Sequence, residues 1–342
     1  MKELLRKNIR ELAPYSSARD EYAGGEAHVF LDANESPYGT YNRYPDPLQR
    51  QLKAAIAQVK GIPADHIFLG NGSDEAIDLL YRCFCEPHED NVVAIEPTYG
   101  MYRVCADINA VEYRPVPLDS HFQLSAEKLL QACDGHTKIV WICSPNNPTG
   151  NSLERDEILR VIESFQGIVV VDEAYSDFSR QQPLRQEVLT HQRLVVLNTM
   201  SKAWASAAIR LGMAFAHPDI IAVLNKVKYP YNVNELTQQE ALRLLADTTD
   251  LQRWLRLILQ ERAQTIDAFR QLPVCQEVFP TDANFFLARV DDANAVYDYL
   301  VSRGIIVRNR SRVALCQDCL RITIGTRTEN TELIAALRQY QP

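Results

Sequence analysis

From about residue 66 to residue 216, short runs rich in Val, Ile and Leu alternate with stretches whose apolar positions recur at helical spacing. The runs His66 to Leu69, Asn91 to Ile95, Val111 to Val116, Lys138 to Cys143, Ile168 to Val171, Leu194 to Asn198 and Gly212 to Ala216 read as strands. Between most of them, Ser73 to Cys85, Tyr99 to Asp107 and Leu153 to Phe165 read as amphipathic helices. Alternation of this kind predicts an α/β fold: a mostly parallel seven-stranded sheet sandwiched by helices. A sheet built this way binds ligands at the carboxyl ends of its strands.

After Ala216 the pattern changes. A long helical stretch, Asp250 to Leu272, is followed by apolar runs at Asn284 to Val290, Ile305 to Val307 and Leu320 to Ile324, which predicts a smaller α+β domain. Residues 1–40 hold an amphipathic start and the turn-rich loop Leu31 to Gly39, with no sheet pattern. They are expected to form an arm on the small domain or a partner subunit, leaving 41–240 as the large domain and 241–342 as the small one.

At 342 residues the chain is long enough for two lobes with substantial cores. Its 44 acidic against 36 basic side chains give a net charge of -8, which argues against nucleic acid or anionic lipid as partner. No apolar run approaches the ~18 residues of a membrane helix, and Met1 to Arg10 lacks the apolar core of a secretion signal, so the expected location is the cytoplasm. Eight cysteines include the pairs Cys83/Cys85 and Cys316/Cys319, but only the single His88 lies near the first pair and no histidine lies near the second. Buried free thiols are expected, with no metal.

Four segments follow strands and carry polar chemistry. Gly70-Asn71-Gly72-Ser73-Asp74-Glu75 either cradles a phosphate at a helix N-terminus or simply caps that helix. Ser144 to Gly150 holds two prolines that stiffen a bend and aim the amide of Asn147, or forms a plain turn. Ile168 to Val171 runs into Asp172-Glu173-Ala174-Tyr175, placing a carboxylate at a buried strand end, where it needs a cationic partner. Leu194 to Asn198 leads to Ser201, Lys202 and Arg210; Lys202 is either a buried amine of lowered pKa or a solvated surface charge.

Residue types and their order in these segments resemble the fold-type I pyridoxal-phosphate enzymes, the aspartate aminotransferase superfamily. Asn8-Ile9-Arg10, Pro14-Tyr15, Leu31 to Glu35, Asn42 to Pro45, Pro97 to Tyr102 and Cys319 to Thr326 extend the likeness along the chain and are similar to the histidinol-phosphate aminotransferases within it.

The resemblance implies pyridoxal 5'-phosphate as cofactor and the following roles. Lys202 bonds the cofactor aldehyde and then carries the proton between substrate Cα and cofactor C4'. Asp172 pairs with the pyridine nitrogen, Asn147 and Tyr175 bond the phenolic oxygen, and Tyr99 stacks on the ring. Ser73, Asp74, Ser201 and Arg210 hold the phosphate, with Tyr44 reaching it from the second subunit of a homodimer. Arg321 clamps the anionic end of both substrates, histidinol phosphate and glutamate, with Arg308, Tyr15 and Asn34 as further contacts. Arg310 and Arg312 are equally readable as solvated charges, and Glu173 has no catalytic role. An aromatic amino-acid aminotransferase or a threonine-phosphate decarboxylase on the same scaffold is the alternative. The sequence departs from the family's Ser-Lys-Ala-Phe-Gly-Leu-Ala-Gly-Leu-Arg pattern at Trp204, Ala205, Ser206 and Ala208; alanine for glycine is benign there only where φ is negative.

Overall fold

The computed structural model describes residues 2–14 and 28–341. All seven predicted strands form: β1 Ile67–Asn71, β2 Asn91–Glu96, β3 Glu112–Pro117, β4 Thr137–Cys143, β5 Ile168–Asp172, β6 Leu194–Thr199 and β7 Leu211–Ala216. They make one sheet in the order β1-β7-β6-β5-β4-β2-β3. β3, β2, β4, β5 and β6 are mutually parallel, while β7 runs antiparallel to both β6 and β1.

Both faces of this sheet are covered, and the period of two along each strand sorts its side chains between two cores. Val169 and Val171 pack on one face with Val140, Ile142, Val93 and Ile95. Ile168 and Val170 pack on the other with Ile139 and Trp141. Among the flanking helices are Arg50–Lys60, Gly72–Phe84, Met101–Ile108, Arg155–Ser164 and Pro218–Val227.

The second unit is a four-stranded antiparallel sheet, β10-β11-β9-β8, with β8 Cys275–Val278, β9 Phe285–Val290, β10 Arg308–Asn309 and β11 Cys319–Thr323. Its core gathers Phe269, Phe286, Leu320 and Leu337 beneath the helices Thr249–Arg270, Ala293–Ser302 and Arg327–Arg338. The last of these starts at a capping box, in which Thr326 and Glu329 satisfy each other's backbone N–H. The apolar run 305–307 leads into β10, where pairing starts at Arg308. The helix Glu235–Ala246 runs through residue 240, and its Ala241, Leu244 and Leu245 belong to the core of the large sheet.

Within its own chain, the start of the N-terminal segment packs on the large unit. Arg6 N–H donates to the Cys83 carbonyl at 3.0 Å, Lys226 Nζ donates to the Ile9 carbonyl at 2.9 Å, and Leu4 and Leu5 pack on the core behind them. Residues 2–11 therefore rest on the large sheet's helices and not on the small unit, because their apolar side chains meet an apolar surface there. Among the described residues no helix is long and apolar enough to cross a membrane, and no cluster of three His, Cys, Asp or Glu side chains could hold a metal ion. The eight cysteines are free.

Candidate active site

The carboxyl ends of β2, β4, β5 and β6 open into a cleft of about 630 Å³, closed on its far side by β10 and β11 of the small unit. Register explains its make-up. Cys143 of β4 pairs with Asp172 of β5, and Asp172 pairs with Leu197 of β6, so β4 and β5 end level at the cleft floor while β6 runs two residues further, to Thr199. Lys202 follows on the turn beyond β6, with its Nζ 5.7 Å from the centre of the Tyr175 ring. Burial lowers the Lys202 pKa, and the Arg321 cation lowers it further, against the opposing pull of Asp172.

Asp172 is only 3% exposed. Its Oδ1 accepts from the Ala174 N–H at 3.0 Å and its Oδ2 from the Tyr102 hydroxyl at 2.8 Å. Burial raises its pKa; the two hydrogen bonds work the other way. Tyr102 is itself fully buried, stacked on Trp141 with ring centres 4.8 Å apart. Sequence reasoning gave Tyr102 no role. Its signal was its place three residues after Tyr99, one turn along the same helix start.

A second group of residues forms an anion cradle. The helix Gly72–Phe84 presents its N-terminus, with Ser73 and Asp74 lining the cleft. Arg210 sits across from it, its Nη2 3.5 Å from Asp74 Oδ2 and its Nη1 donating to Ser201 Oγ at 3.5 Å. Two glycines permit this approach. Gly72 has φ +71°, and a Cβ there would lie 2.6 Å from Arg210 Nη2; a Cβ on Gly212 would overlap the backbone of Gly72 and Ser73. The Tyr99 hydroxyl donates to Asp74 Oδ1 at 3.0 Å, fixing the ring at the cleft wall.

The third group is cationic. Arg321 Nη1 donates to Asn147 Oδ1 at 2.5 Å and its guanidinium lies 5.2 Å from the Phe285 ring centre. Tyr175 meets the same Phe285 edge to face at 5.1 Å. Arg308 lines the cleft as expected, and so does Arg310, which the sequence left open; Arg312 does not.

Three candidate residues stand apart. Tyr15 lies outside the described residues. Asn34 is exposed, with φ +53°, and is not among the cleft residues. Tyr44 is 50% exposed, stacked on Tyr231 at 4.4 Å, and also lies away from the cleft of its own chain. In the loop after Lys202, Ala208 lies in a 3-10 turn, but Ala205 has φ +51°, so the condition for a benign alanine fails at that one position.

The arrangement offers a half-buried amine, a buried carboxylate, an anion cradle and a separate cluster of guanidinium groups in one cleft. The family model for aminotransferases of class I and II matches residues 20–337. A histidinol-phosphate aminotransferase of Bacteroides fragilis is 58% identical over 342 residues, covering 100% of this chain and 99% of its own length. Among solved structures, the histidinol-phosphate aminotransferase of Clostridium acetobutylicum aligns with a TM-score of 0.80 at 25% identity, over 87% of this chain and 90% of that one. The fold is shared with the histidinol-phosphate aminotransferase of Sinorhizobium meliloti in complex with pyridoxal-5'-phosphate, at a TM-score of 0.80 and 23% identity over 90% and 89% of the two chains. A matching family model and a relative this similar from end to end place the chain in the class I and II aminotransferase family, beside relatives named histidinol-phosphate aminotransferase.

Proposed function

We propose that the chain is a pyridoxal-phosphate-dependent aminotransferase that moves the amino group between L-histidinol phosphate and 2-oxoglutarate, with imidazole-acetol phosphate and L-glutamate as the other pair. The observation that carries this reading is the meeting of Lys202, Asp172 and the Ser73–Arg210 cradle in a cleft whose opposite wall bears Arg308 and Arg321.

The residues suit the cofactor. A phosphate monoester dianion matches the helix N-terminus with Ser73, Ser201 and Arg210; Gly72 leaves room for the Arg210 guanidinium and Gly212 lets the helix start lie against β7. Asp172, buried and already holding two donors, is arranged to stay ionised against a protonated ring nitrogen. Bound there, the cofactor supplies an aldehyde that condenses with amines and a ring that takes up the electron pair left when a Cα proton departs.

The chain's own side chains do the rest. Burial and the nearby Arg321 shift Lys202 toward its neutral form, in which its amine acts as nucleophile and base. That amine would carry the proton between substrate Cα and cofactor C4'. Asn147 and Tyr175 stand at the cleft wall as hydrogen-bonding groups for the cofactor's phenolic oxygen, with Tyr99 against the ring face. Arg321 receives the phosphate of one substrate and the carboxylate of the other in successive half-reactions. Tyr44, exposed on its own chain, would complete the cofactor cradle of a second copy, so that the working unit is a homodimer acting in the cytoplasm.

The test is a set of half-reactions on the loaded enzyme, followed by absorbance. Histidinol phosphate and glutamate should each convert the cofactor spectrum, and 2-oxoglutarate should restore it. Conversion by phenylalanine but not by histidinol phosphate would favour an aromatic aminotransferase, and carbon dioxide release from threonine phosphate a decarboxylase. Borohydride reduction should leave the cofactor on the peptide containing Lys202; a label elsewhere would overturn the assignment.

A further inference from the structure

β10 and β11 pair antiparallel with Arg308 directly opposite Arg321. Residues two apart on a strand share a face, and the Arg310 N–H continues the ladder by donating to the Cys319 carbonyl at 2.8 Å. Three guanidinium groups thus stand on the cleft side of the small sheet, and all three line the cleft. Like charges paired across strands are destabilising. Among the described residues, none of the three forms an ion pair with a carboxylate, and the buried Nε atoms of Arg310 and Arg321 have no hydrogen-bond partner. Burial together with the neighbouring Arg321 and Arg308 cations brings the Arg310 pKa down to about 10. A folded chain keeps such a cluster where an anion of matching charge completes it.

We propose that Arg310 is a specificity-determining residue, which binds the phosphate group of the substrate together with Arg308 and Arg321 and favours that group over a carboxylate. This rests on the proposed reaction and says which group discriminates its two anionic substrates. A phosphate monoester carries about -1.5 to -2 charges at pH 7 and three acceptor oxygens, enough to engage more than two guanidinium forks. A carboxylate has one charge and two oxygens, and one bidentate fork already engages both. With glutamate bound to Arg321, Arg310 gains little; with a phosphate monoester it gains a charge-assisted hydrogen bond. Arg312, outside the cleft, shares none of this.

The experiment is steady-state kinetics of the loaded enzyme with Arg310→Gln and Arg310→Lys. Arg310→Gln should raise KM for histidinol phosphate roughly 10- to 100-fold, as loss of a charged hydrogen bond does, with kcat within about threefold. KM for glutamate should change by about threefold or less. Inorganic phosphate should compete with glutamate in the parent enzyme and lose at least about tenfold in potency in Arg310→Gln. Arg310→Lys, which keeps the charge and loses the fork, should fall between, and it carries the test if the Gln variant does not load cofactor. An equal rise in both KM values, or an unchanged KM for histidinol phosphate, overturns the proposal. A parent enzyme that does not turn over histidinol phosphate overturns the proposed reaction instead, while phosphate competition against glutamate still reports on Arg310.

Discussion

The Tyr102 hydroxyl donates to Asp172 Oδ2 at 2.8 Å from a ring that is itself fully buried against Trp141. The bond joins the helix after β2 to the last residue of β5, and it acts on a carboxyl whose pKa burial has raised. A donor to the ionised form favours ionisation. Tyr102→Phe removes it without changing the stack, so the Asp172 pKa should rise further. A carboxylate with a raised pKa is lost at a higher pH as the solution is acidified. The acid limb of the kcat profile should therefore move to higher pH, with kcat at neutral pH falling by about tenfold. An unmoved acid limb would show that Tyr102 only fills space.

Lys202 presents the opposite sign. Burial, then Arg321, lowers the pKa of its ammonium, so the neutral amine is present below the usual lysine range and is lost only as pH falls through the lowered value. Lys202→Ala should cut kcat by at least about 10⁴-fold, while the Ser73–Arg210 cradle still holds the cofactor more loosely. Lys202→Arg should not rescue it, since a guanidinium does not give up its proton. Stopped turnover measured against retained cofactor fluorescence separates lost chemistry from lost binding.

How far the sequence carried this picture depends on which signals are local. The seven strands were legible because runs such as Ile168 to Val171 are apolar and β-branched, and the strand-end residues followed from them. Tyr102 was not legible as a partner of Asp172, since 70 residues separate them and only the sheet order brings them together. Arg310 was ambiguous for a related reason: its i, i+2 relation to Arg308 says that they share a face, but not that the face looks into a cleft. β8 was missed because Cys275–Val278 is only partly buried and carries no apolar run. The boundary read at 240 fell inside a helix because Glu235–Ala246 packs on the large sheet's core through a face that local composition does not reveal.

The close contact between Gly72 and Arg210 gives a prediction about cofactor loading. Gly72 N–H donates to the Arg210 carbonyl at 2.6 Å, and a Cβ on Gly72 would meet Arg210 Nη2. Gly72→Ala also places an alanine at φ +71°, a strain of about 1–2 kcal/mol. The guanidinium is the movable party, so the variant should fold but bind pyridoxal phosphate about tenfold or more weakly in an absorbance titration. At Gly212 the added atom would meet backbone, which does not yield. Gly212→Ala should lose cofactor binding and thermal stability together, by more than Gly72→Ala does.

Ala205 has φ +51° in the turn three residues after Lys202, where an N–H to the Lys202 carbonyl at 3.1 Å holds the backbone. A side chain in the left-handed region costs about 1–2 kcal/mol, and glycine there avoids that cost while giving up about 0.5–1 kcal/mol of unfolded-state entropy. Ala205→Gly should therefore stabilise the chain by about 0.5–1 kcal/mol, in contrast to the usual effect of alanine-to-glycine changes. For a protein of this size the matching rise in Tm is ~1–2 °C by calorimetry of the loaded enzyme. The same change at Ala208, which lies in a 3-10 turn and is not among the positive-φ residues, should lower Tm instead. Opposite signs at two alanines three residues apart, both in the loop that carries Lys202, follow from backbone conformation alone. A drop in Tm for Ala205→Gly would mean that the turn draws its stability from the alanine methyl group and not from the geometry of its backbone.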